Sequence, residues 1–206
     1  MSTWGRIFAT IYDPIMSVPE RFGMRERRVA TVGQARGRVL ELGAGTGLNL
    51  AHYPTVEELV LTEPEEPMAR RLRSRAAQAG LGAQVVEAPA EHLPFPDEHF
   101  DSVISTLVLC TVGDLPASLA EIRRVLKPGG RLLFCEHVRS DDPGLAAWQD
   151  RMHPFWVRFG HGCHCNRATL PAIQAAGLEV DQVEHGELKG LVPIVKPLIM
   201  GSAIRA

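Results

Sequence analysis

The sequence lacks a marked excess of either charge and any long apolar run. Its 206 residues carry 22 Lys and Arg against 24 Asp and Glu, a formal net charge of -2. This balance gives no sign of polyanion binding, so no nucleic-acid partner is expected. No apolar run approaches the roughly 20 residues that span a bilayer, and no signal-peptide pattern opens the chain. We therefore expect no transmembrane segment and a cytoplasmic location.

Cysteine is scarce, and its placement does not suggest a metal site. The four cysteines are Cys110, Cys135, Cys163 and Cys165. In a reducing cytoplasm they are expected to stay as thiols, and those in apolar runs behave as small hydrophobes. The run from His161 to Cys165 contains metal-binding residue types, but no second, distant pair has ligand spacing. We expect no metal, and the roles of Cys163, His164 and Cys165 stay open.

Apolar runs alternate with amphipathic segments to the end of the chain. This pattern predicts a Rossmann-like α/β fold with seven strands in a mostly parallel sheet and helices on both faces. Strands are expected at 38–42, 58–62, 84–88, 100–106, 131–137, 177–185 and 197–205. Helices are expected at 18–32, 48–52, 67–79, 115–125, 144–159 and 167–176. No linker interrupts them, so residues 1–206 are expected to form a single domain.

Two segments stand apart from the predicted core of this domain. Residues 1–35 are expected to form an N-terminal helical lid, because the short apolar stretch from Trp4 to Met16 suits packing over a ligand. Weak peripheral contact with a membrane surface is the alternative use of that stretch. Residues 140–166 form an insertion between the fifth and sixth strands, rich in Trp, His and Pro. It leaves from the carboxyl edge of the sheet, where ligands of such folds bind, and is expected to contact substrate.

The segment from Val39 to Gly47 is the most informative part of the chain. A short apolar run gives way there to glycines at positions 43, 45 and 47. The pattern predicts a strand, a tight turn and the start of a helix, with glycine where the backbone approaches a ligand too closely for a Cβ atom. The free N–H groups of the following helix would face the ligand.

An acidic residue ends the next apolar run, at about the 20-residue spacing of nucleotide-binding folds. Glu63 follows Thr62 where a carboxylate accepts hydrogen bonds from a ribose, and Pro64 suits the first turn of a helix. The glycines are spaced G-x-G-x-G, whereas the dinucleotide fingerprint would need its third glycine at Leu48. The spacing favours S-adenosylmethionine over NAD as the cofactor.

With further segments, these residues resemble the class I S-adenosylmethionine-dependent methyltransferases of the type-11 group, over nearly the whole chain. The further segments are Ala90 to Asp97 leading to Phe100-Asp101, and Leu126 to Gly130. A narrower similarity is to the eukaryotic thiol S-methyltransferases called methyltransferase-like seven. It is carried by Gly47-Leu48-Asn49 with Tyr53-Pro54, Ala88-Pro89 with Glu91, Thr106 to Cys110 with Val112, Glu136-His137-Val138, Trp148-Gln149, Pro154 with Trp156, and Gly162-Cys163 with Arg167. We expect the hydrophobic N-terminal membrane anchor of that family to be missing here, so its localisation is not carried over.

The resemblance implies a set of cofactor contacts. Glu63 is expected to bind the ribose hydroxyls, and Ala90 and Glu91 are expected to lie along the adenine. Pro89 replaces the usual Asp or Asn that accepts from the adenine amino group, so backbone groups or Glu91 must recognise adenine. The full set of expected cofactor contacts is Glu41, Gly43, Ala44, Gly45, Thr46, Gly47, Asn49, Glu63, Pro64, Ala90, Glu91 and Thr106.

Methyl transfer from a sulfonium is an in-line displacement that needs positioning and exclusion of water more than dedicated catalytic groups. His137, at the end of the fifth predicted strand, is the candidate base that would convert an acceptor thiol to its thiolate. The alternative is a histidine that only hydrogen-bonds neighbouring backbone.

Five residues are the candidates for substrate contact: Tyr12, Cys110, Trp148, Trp156 and Arg167. The two tryptophans are close to two helical turns apart, so they are expected to share one face, where they either wall an apolar pocket or pack in the core. Arg167 either anchors an anionic substrate or fixes the entry of a helix.

We therefore predict an S-adenosylmethionine-dependent methyltransferase that acts on a small molecule, at a thiol sulfur. The alternative acceptors are a quinol, a phenol or a lipid head group. A different class of function, a non-catalytic module that only binds S-adenosylmethionine, is also consistent with the glycine turn and Glu63. The oligomeric state is not set by these residues.

Overall fold

The structure is a computed structural model that describes residues 3–206, with side chains from residue 9 onward. The side chains of Trp4, Ile7 and Phe8, which contribute to the apolar N-terminal pattern, lie outside this described part. No helix within residues 3–206 is both long enough and apolar enough to cross a bilayer.

The fold is built on one seven-stranded sheet with the order β3-β2-β1-β4-β5-β7-β6. The strands are β1 (Arg38–Leu42), β2 (Glu58–Thr62), β3 (Gln84–Val86), β4 (Phe100–Thr106), β5 (Leu126–His137), β6 (Leu178–Glu187) and β7 (Pro197–Arg205). Strands β1 to β5 pair in parallel, and β7 runs antiparallel between β5 and β6. The predicted seven-stranded, mostly parallel α/β architecture is confirmed.

Within residues 3–206, six α-helices surround this sheet. They are α1 (Thr3–Pro19), α2 (Arg25–Val32), α3 (Glu66–Ala79), α4 (Leu115–Val125), α5 (Pro143–Phe159) and α6 (Thr169–Ala175). Asp114 and Asp142 cap α4 and α5, because each side chain accepts a hydrogen bond from the backbone N–H three residues on. Proline follows in the first turn of both helices, where its missing N–H has no cost.

The core has two parts because neighbouring residues of a strand face opposite sides of the sheet. Leu40 packs in a cluster with Ile122 of α4 and with residues of α6. Val39, its neighbour in β1, packs in a separate cluster with Leu72 of α3 and residues of α2. Helices therefore cover both faces, as the alternating pattern predicts.

Three predicted elements differ most from those observed, and the bounds of the others agree to within two residues. The helix expected at 48–52 is a single 3-10 turn, Leu50–His52, because Tyr53 precedes a proline and is extended. The helix expected at 18–32 is interrupted at Glu20–Met24, where Gly23 has a φ of 112°. Strand β5 begins at Leu126 rather than 131, with an irregularity in its pairing to β4.

Candidate functional site

A cavity of about 480 Å³ lies at the carboxyl ends of the parallel strands. Its floor comes from the segments that follow β1, β2, β4 and β5. Helix α1 contributes Tyr12, Ile15 and Met16, and the segment after β5 contributes Trp156 and Phe159. The cavity therefore lies where open α/β sheets bind their ligands, between the N-terminal helix and the insertion.

The turn after β1 has the backbone conformation that its glycines predict. Gly43 has a φ of 50°, and a Cβ atom there would lie 2.9 Å from the side chain of Val108. Gly45 has a φ of 59° and lines the cavity opposite Tyr12. Left-handed backbone favours glycine at both positions, and close approach also requires it at Gly43.

Glu63 follows β2 and lines the cavity with its carboxylate fixed by backbone donors. Oε2 accepts a hydrogen bond from the N–H of Gly45 at 2.9 Å, and Oε1 accepts one from the N–H of Glu65 at 2.9 Å. Burial raises the pKa of Glu63 to about 7, although these two donors act in the opposite direction. Each oxygen retains lone-pair capacity for a ligand hydroxyl.

A buried polar network supports the glycine turn from below. Asn49 donates from Nδ2 to Glu41 Oε1 at 2.8 Å and to Thr106 Oγ1 at 3.2 Å. The hydroxyl of Tyr53 donates to Glu41 Oε2 at 2.5 Å, and Arg28 Nη1 donates to Asn49 Oδ1 at 2.9 Å. Burial raises the pKa of Glu41, whereas its hydrogen bonds with Tyr53 and Asn49 lower it. These groups satisfy one another below the turn and do not line the cavity.

Helix α1 is tied to the glycine turn by Asp13. The hydroxyl of Thr46 donates to Asp13 Oδ1 at 2.5 Å, and Arg75 Nη2 lies 2.5 Å from Oδ2. The same guanidinium donates from Nη1 to the carbonyl of Thr46 at 2.9 Å. Tyr12, one residue earlier, lines the cavity, and burial raises the pKa of its hydroxyl.

The segment after β3 provides a wall of small apolar residues ending in an acid. Pro89 and Ala90 line the cavity. Glu91 Oε1 accepts from the N–H of Gly113 at 2.7 Å and from that of Asp114 at 3.2 Å. Glu91 therefore fixes the loop that leads into α4.

Glu136 organises the loop after β4. Its carboxylate is fully buried and accepts from the hydroxyl of Ser105 at 2.6 Å and from the N–H groups of Val108 at 3.0 Å and Cys110 at 3.2 Å. Leu107, within this loop, has a φ of 60°. Sequence reasoning assigned Glu136 no role, although an acid inside an apolar strand was a signal that such a charge needs several donors.

His137, the last residue of β5, lines the cavity but is nearly enclosed. Burial lowers its pKa to about 4, against the raising effect of the backbone carbonyls of Pro197 and Val195. Its Nδ1 atom is buried and has no hydrogen-bond partner among the described residues. The imidazole is therefore neutral at pH 7, and its affinity for a proton is too low to take one fully from an ordinary thiol.

The two tryptophans of α5 have different surroundings. Trp156 lines the cavity, beside the sulfur of Cys163. Trp148 is 44% exposed and does not line it, so the expected common face is not observed. Arg167 donates from Nη1 to the carbonyl of Leu109 at 2.7 Å, which joins the segment before α6 to the loop after β4.

The histidines of the insertion contact other side chains. His164 Nδ1 lies 2.8 Å from Nε2 of His153, and His161 contacts Glu65. Within the part of the chain that the structure describes, no three His, Cys, Asp or Glu side chains converge as metal ligands would.

The cavity brings together about half of the residues named from the sequence. Those that line it are Tyr12, Gly43, Gly45, Glu63, Pro64, Ala90, Glu91, Cys110, His137 and Trp156. Those that do not are Glu41, Ala44, Thr46, Gly47, Asn49, Thr106, Trp148 and Arg167. Asp13, Glu65 and Glu136 were missed, because their roles depend on contacts between distant segments.

Comparison with known proteins shows the family of this chain. A family model described as a methyltransferase domain matches residues 40–134. The thiol S-methyltransferase TMT1B of Rattus norvegicus is 37% identical over 172 residues, which cover 81% of this chain and 70% of the relative. The chain belongs to the class I S-adenosylmethionine-dependent methyltransferases. Within them it lies near the TMT1 family.

Other class I methyltransferases are similar over smaller parts or only in fold. The ubiquinone/menaquinone biosynthesis C-methyltransferase UbiE of Ectopseudomonas mendocina (strain ymp) is 38% identical over 119 residues, 55% of this chain and 46% of that protein. The structure of geranyl diphosphate methyltransferase in complex with SAM has a TM-score of 0.68 at 15% identity, covering 89% of this chain and 85% of that one. Its likeness shows the shared fold.

The site fits S-adenosylmethionine, the methyl donor of this family of small-molecule methyltransferases. The glycine turn leaves room for a close ligand, Glu63 presents a carboxylate, and Pro89 and Ala90 form a flat apolar wall. The cavity volume lies within the roughly 300–1,000 Å³ common for small-molecule sites.

Proposed function

We propose that this methyltransferase transfers a methyl group to the sulfur of a small-molecule thiol. The observation that carries the proposal is the extent of its similarity to thiol S-methyltransferases. The aligned 172 residues reach well beyond residues 40–134, which the general methyltransferase model matches. They must therefore include residues of the segments that enclose the acceptor side of the cavity.

We assign the cofactor to the half of the cavity formed by the ends of β1, β2 and β3. Glu63 would accept hydrogen bonds from the ribose hydroxyls. Such hydrogen bonds are stronger when the acceptor is an ionised carboxylate. Gly45 allows the ligand to lie against the backbone, and Ala90 and Glu91 would flank the adenine. S-adenosylmethionine supplies an electrophilic methyl group when bound there.

The opposite half suits a small, soft acceptor. Leu107, Val108 and Trp156 give it an apolar wall, and the sulfurs of Cys110 and Cys163 add to that wall. A thiolate is large, polarisable and weakly hydrated. Moving it from water to such a wall therefore costs less free energy than moving an alkoxide there. Exclusion of water by α1 and α5 would favour attack on the methyl carbon over hydrolysis.

We propose that His137 positions the acceptor rather than removing its proton. Full transfer from a thiol with an ordinary pKa near 8.5 to an imidazole with a pKa of about 4 costs about 6 kcal/mol. The unpartnered Nδ1 can instead accept a hydrogen bond from an entering S–H group. The thiol held in this way would lose its proton to water, and its sulfur would then attack the methyl carbon.

The test is release of S-adenosylhomocysteine by purified protein. S-adenosylmethionine is supplied with a series of alkyl thiols, hydrosulfide, quinols and phenols, and the methylated product is identified by mass. Thiol-dependent release that is lost in Glu63→Ala but kept in Glu184→Gln, an exposed substitution on β6, supports the proposal. Release with quinols or phenols and none with thiols would overturn it.

Quinol methylation is the second candidate, favoured by the similarity to UbiE. The apolar wall of the cavity suits a quinol ring as well as an alkyl thiol. Carbon methylation needs the ring hydroxyl to lose its proton, and no strongly basic side chain among the described cavity residues faces the acceptor half. This observation ranks the quinol below the thiol, and the same assay distinguishes the two.

A further inference from the structure

Two of the four cysteines meet in the cavity wall although they are 53 positions apart in sequence. Cys110 follows β4, and Cys163 belongs to the insertion. The backbone N–H of His164 donates to the carbonyl of Cys110 at 2.7 Å, which holds the two segments side by side. The side chains of Cys110 and Cys163 belong to one buried cluster, and both residues line the cavity.

We propose that Cys110 and Cys163 are a redox-active dithiol, which closes to a disulfide when a small disulfide enters the cavity. Cys163 attacks one sulfur of the entering R–S–S–R, forming a mixed disulfide and releasing one R–S⁻. Cys110 then attacks the Cys163 sulfur and releases the second R–S⁻. Two protein thiols are oxidised, one disulfide is reduced to two thiols, and two protons pass to solvent or to the released thiolates.

The surroundings select Cys163 as the attacking residue. The hydrogen bond from Cys110 lowers the pKa of Cys163, and the indole N–H of Trp156 acts in the same direction. That indole nitrogen is buried and has no hydrogen-bond partner among the described residues, so it is free to donate to a thiolate at Cys163. The same thiol contact and burial raise the pKa of Cys110 well above its ordinary value. The thiolate is the attacking species, and at neutral pH the thiol with the lower pKa of the two is the more ionised.

The other two cysteines provide internal controls. Cys135 and Cys165 are fully buried, neither lines the cavity, and burial raises the pKa of each to about 12. They experience the same solution conditions as the dithiol. However, neither thiol is reached from the cavity, and neither has a lowered pKa. Selective reaction of Cys110 and Cys163 would therefore reflect the site and not general thiol chemistry.

The test is to expose the reduced full-length protein to bis(2-hydroxyethyl) disulfide and to record intact mass and a non-reducing peptide map. Wild type should lose two hydrogen masses, gain no hydroxyethylthio group, and yield a peptide pair linked through Cys110 and Cys163. Cys110→Ser should instead retain one hydroxyethylthio group on Cys163. Cys135→Ser and Cys165→Ser should form the same link as wild type.

Wild-type protein that carries stable mixed disulfides without a link would overturn the proposal, as would equal reaction of all four cysteines. Because the wild-type map needs no variant, poor folding of Cys110→Ser cannot obscure the result. Excess S-adenosylhomocysteine should slow the reaction several-fold, since the disulfide reaches both sulfurs through the cavity; no slowing would exclude that route. Thiol counting needs no turnover, so the outcome is independent of the acceptor proposed above.

Discussion

His161 and Glu65 join the two sides of the cavity directly, with Nε2 of the histidine 2.7 Å from Oε1 of the carboxylate. His161 belongs to the insertion and has a φ of 51°, while Glu65 immediately precedes α3. The backbone N–H of Glu65 also donates to Glu63. The insertion is therefore linked, through one further residue, to the carboxylate assigned to the cofactor ribose.

Replacing His161 by alanine is expected to speed release of S-adenosylmethionine. Loss of one hydrogen bond worth about 0.5–1.5 kcal/mol should raise the dissociation rate roughly two- to tenfold. Stopped-flow displacement of the bound cofactor measures this rate. His185→Ala is the matched control, because His185 is exposed on β6 and does not line the cavity. A folded His161 variant with an unchanged rate would show that this contact does not retain the cofactor.

The affinity for S-adenosylmethionine should rise with pH through the pKa of Glu63. With that pKa at about 7, only about a tenth of the protein carries the carboxylate at one pH unit below it. We therefore expect affinity to fall about tenfold between pH 8 and pH 6. Calorimetric titration at both values measures the change. Glu63→Gln should bind more weakly and show a much smaller dependence over this range.

The same shift predicts a change in stability of the ligand-free protein. The folded pKa of Glu63, about 7, lies above its unfolded value of 4.5, so the folded state holds the proton more tightly. The contribution of this group is fully present below pH 4.5 and is lost as pH rises through about 7, a change of about 3 kcal/mol. The stability of wild type relative to Glu63→Gln, followed by denaturant unfolding, should fall across this window. A constant difference would contradict the assigned shift.

Glu136→Gln should destabilise the fold. The substitution keeps one acceptor oxygen but places an amide N–H₂ group among backbone donors that now meet a carboxylate. An unsatisfied buried donor costs about 1–3 kcal/mol, which urea unfolding can measure. Glu184→Gln, exposed on β6, should change stability by about 0.5 kcal/mol or less. Equal effects of the two substitutions would mean that the loop after β4 does not depend on Glu136.

Asp13→Asn tests whether α1 acts as a lid. It removes the charge that faces Arg75 and weakens the bond from Thr46, so α1 should open more often over the glycine turn. We expect faster amide exchange in α1 and cofactor binding weakened by a few-fold, both removed when cofactor saturates the site. Asp97→Asn is the control, because Asp97 pairs with Arg124 away from the cavity. Unchanged exchange in α1 would count against a lid.

His137→Gln tests positioning against proton transfer. Glutamine retains hydrogen-bonding groups but cannot act as a base at neutral pH. If His137 positions the acceptor, turnover of thiols with high and low pKa should fall by a similar, modest factor. Rates measured across a thiol series decide between the two roles. If His137 were a base, its replacement would slow the high-pKa thiols most.

The sequence predicted the sheet, and it predicted that the glycine turn and Glu63 lie at the strand ends beside the cavity. The glycine turn and Glu63 are local signals, since each combines a strand end with a residue type that its neighbours explain. The strand bounds of β1, β2 and β4 follow from short apolar runs and agree with the structure. Such features depend on interactions close in sequence.

The remaining features depend on contacts between distant segments. The buried carboxylate of Glu136 is explained only by the hydrogen-bond donors in the loop after β4. Cys110 and Cys163 lie together only because the insertion folds back on that loop. The low pKa of His137 arises from burial beside β7, which no local pattern indicates. The shared face expected for Trp148 and Trp156 failed because two helical turns cover seven residues and not eight.

The cavity of about 480 Å³ has to receive both the methyl donor and the molecule that accepts the methyl group. S-adenosylmethionine is larger than the small thiol proposed as acceptor, so little volume remains for that thiol, and the wall around it is largely apolar. A site of this kind sorts molecules by bulk and softness and not by their particular functional groups. We expect a broad substrate range limited by size. The cellular abundance of each small nucleophile would then decide which of them is methylated.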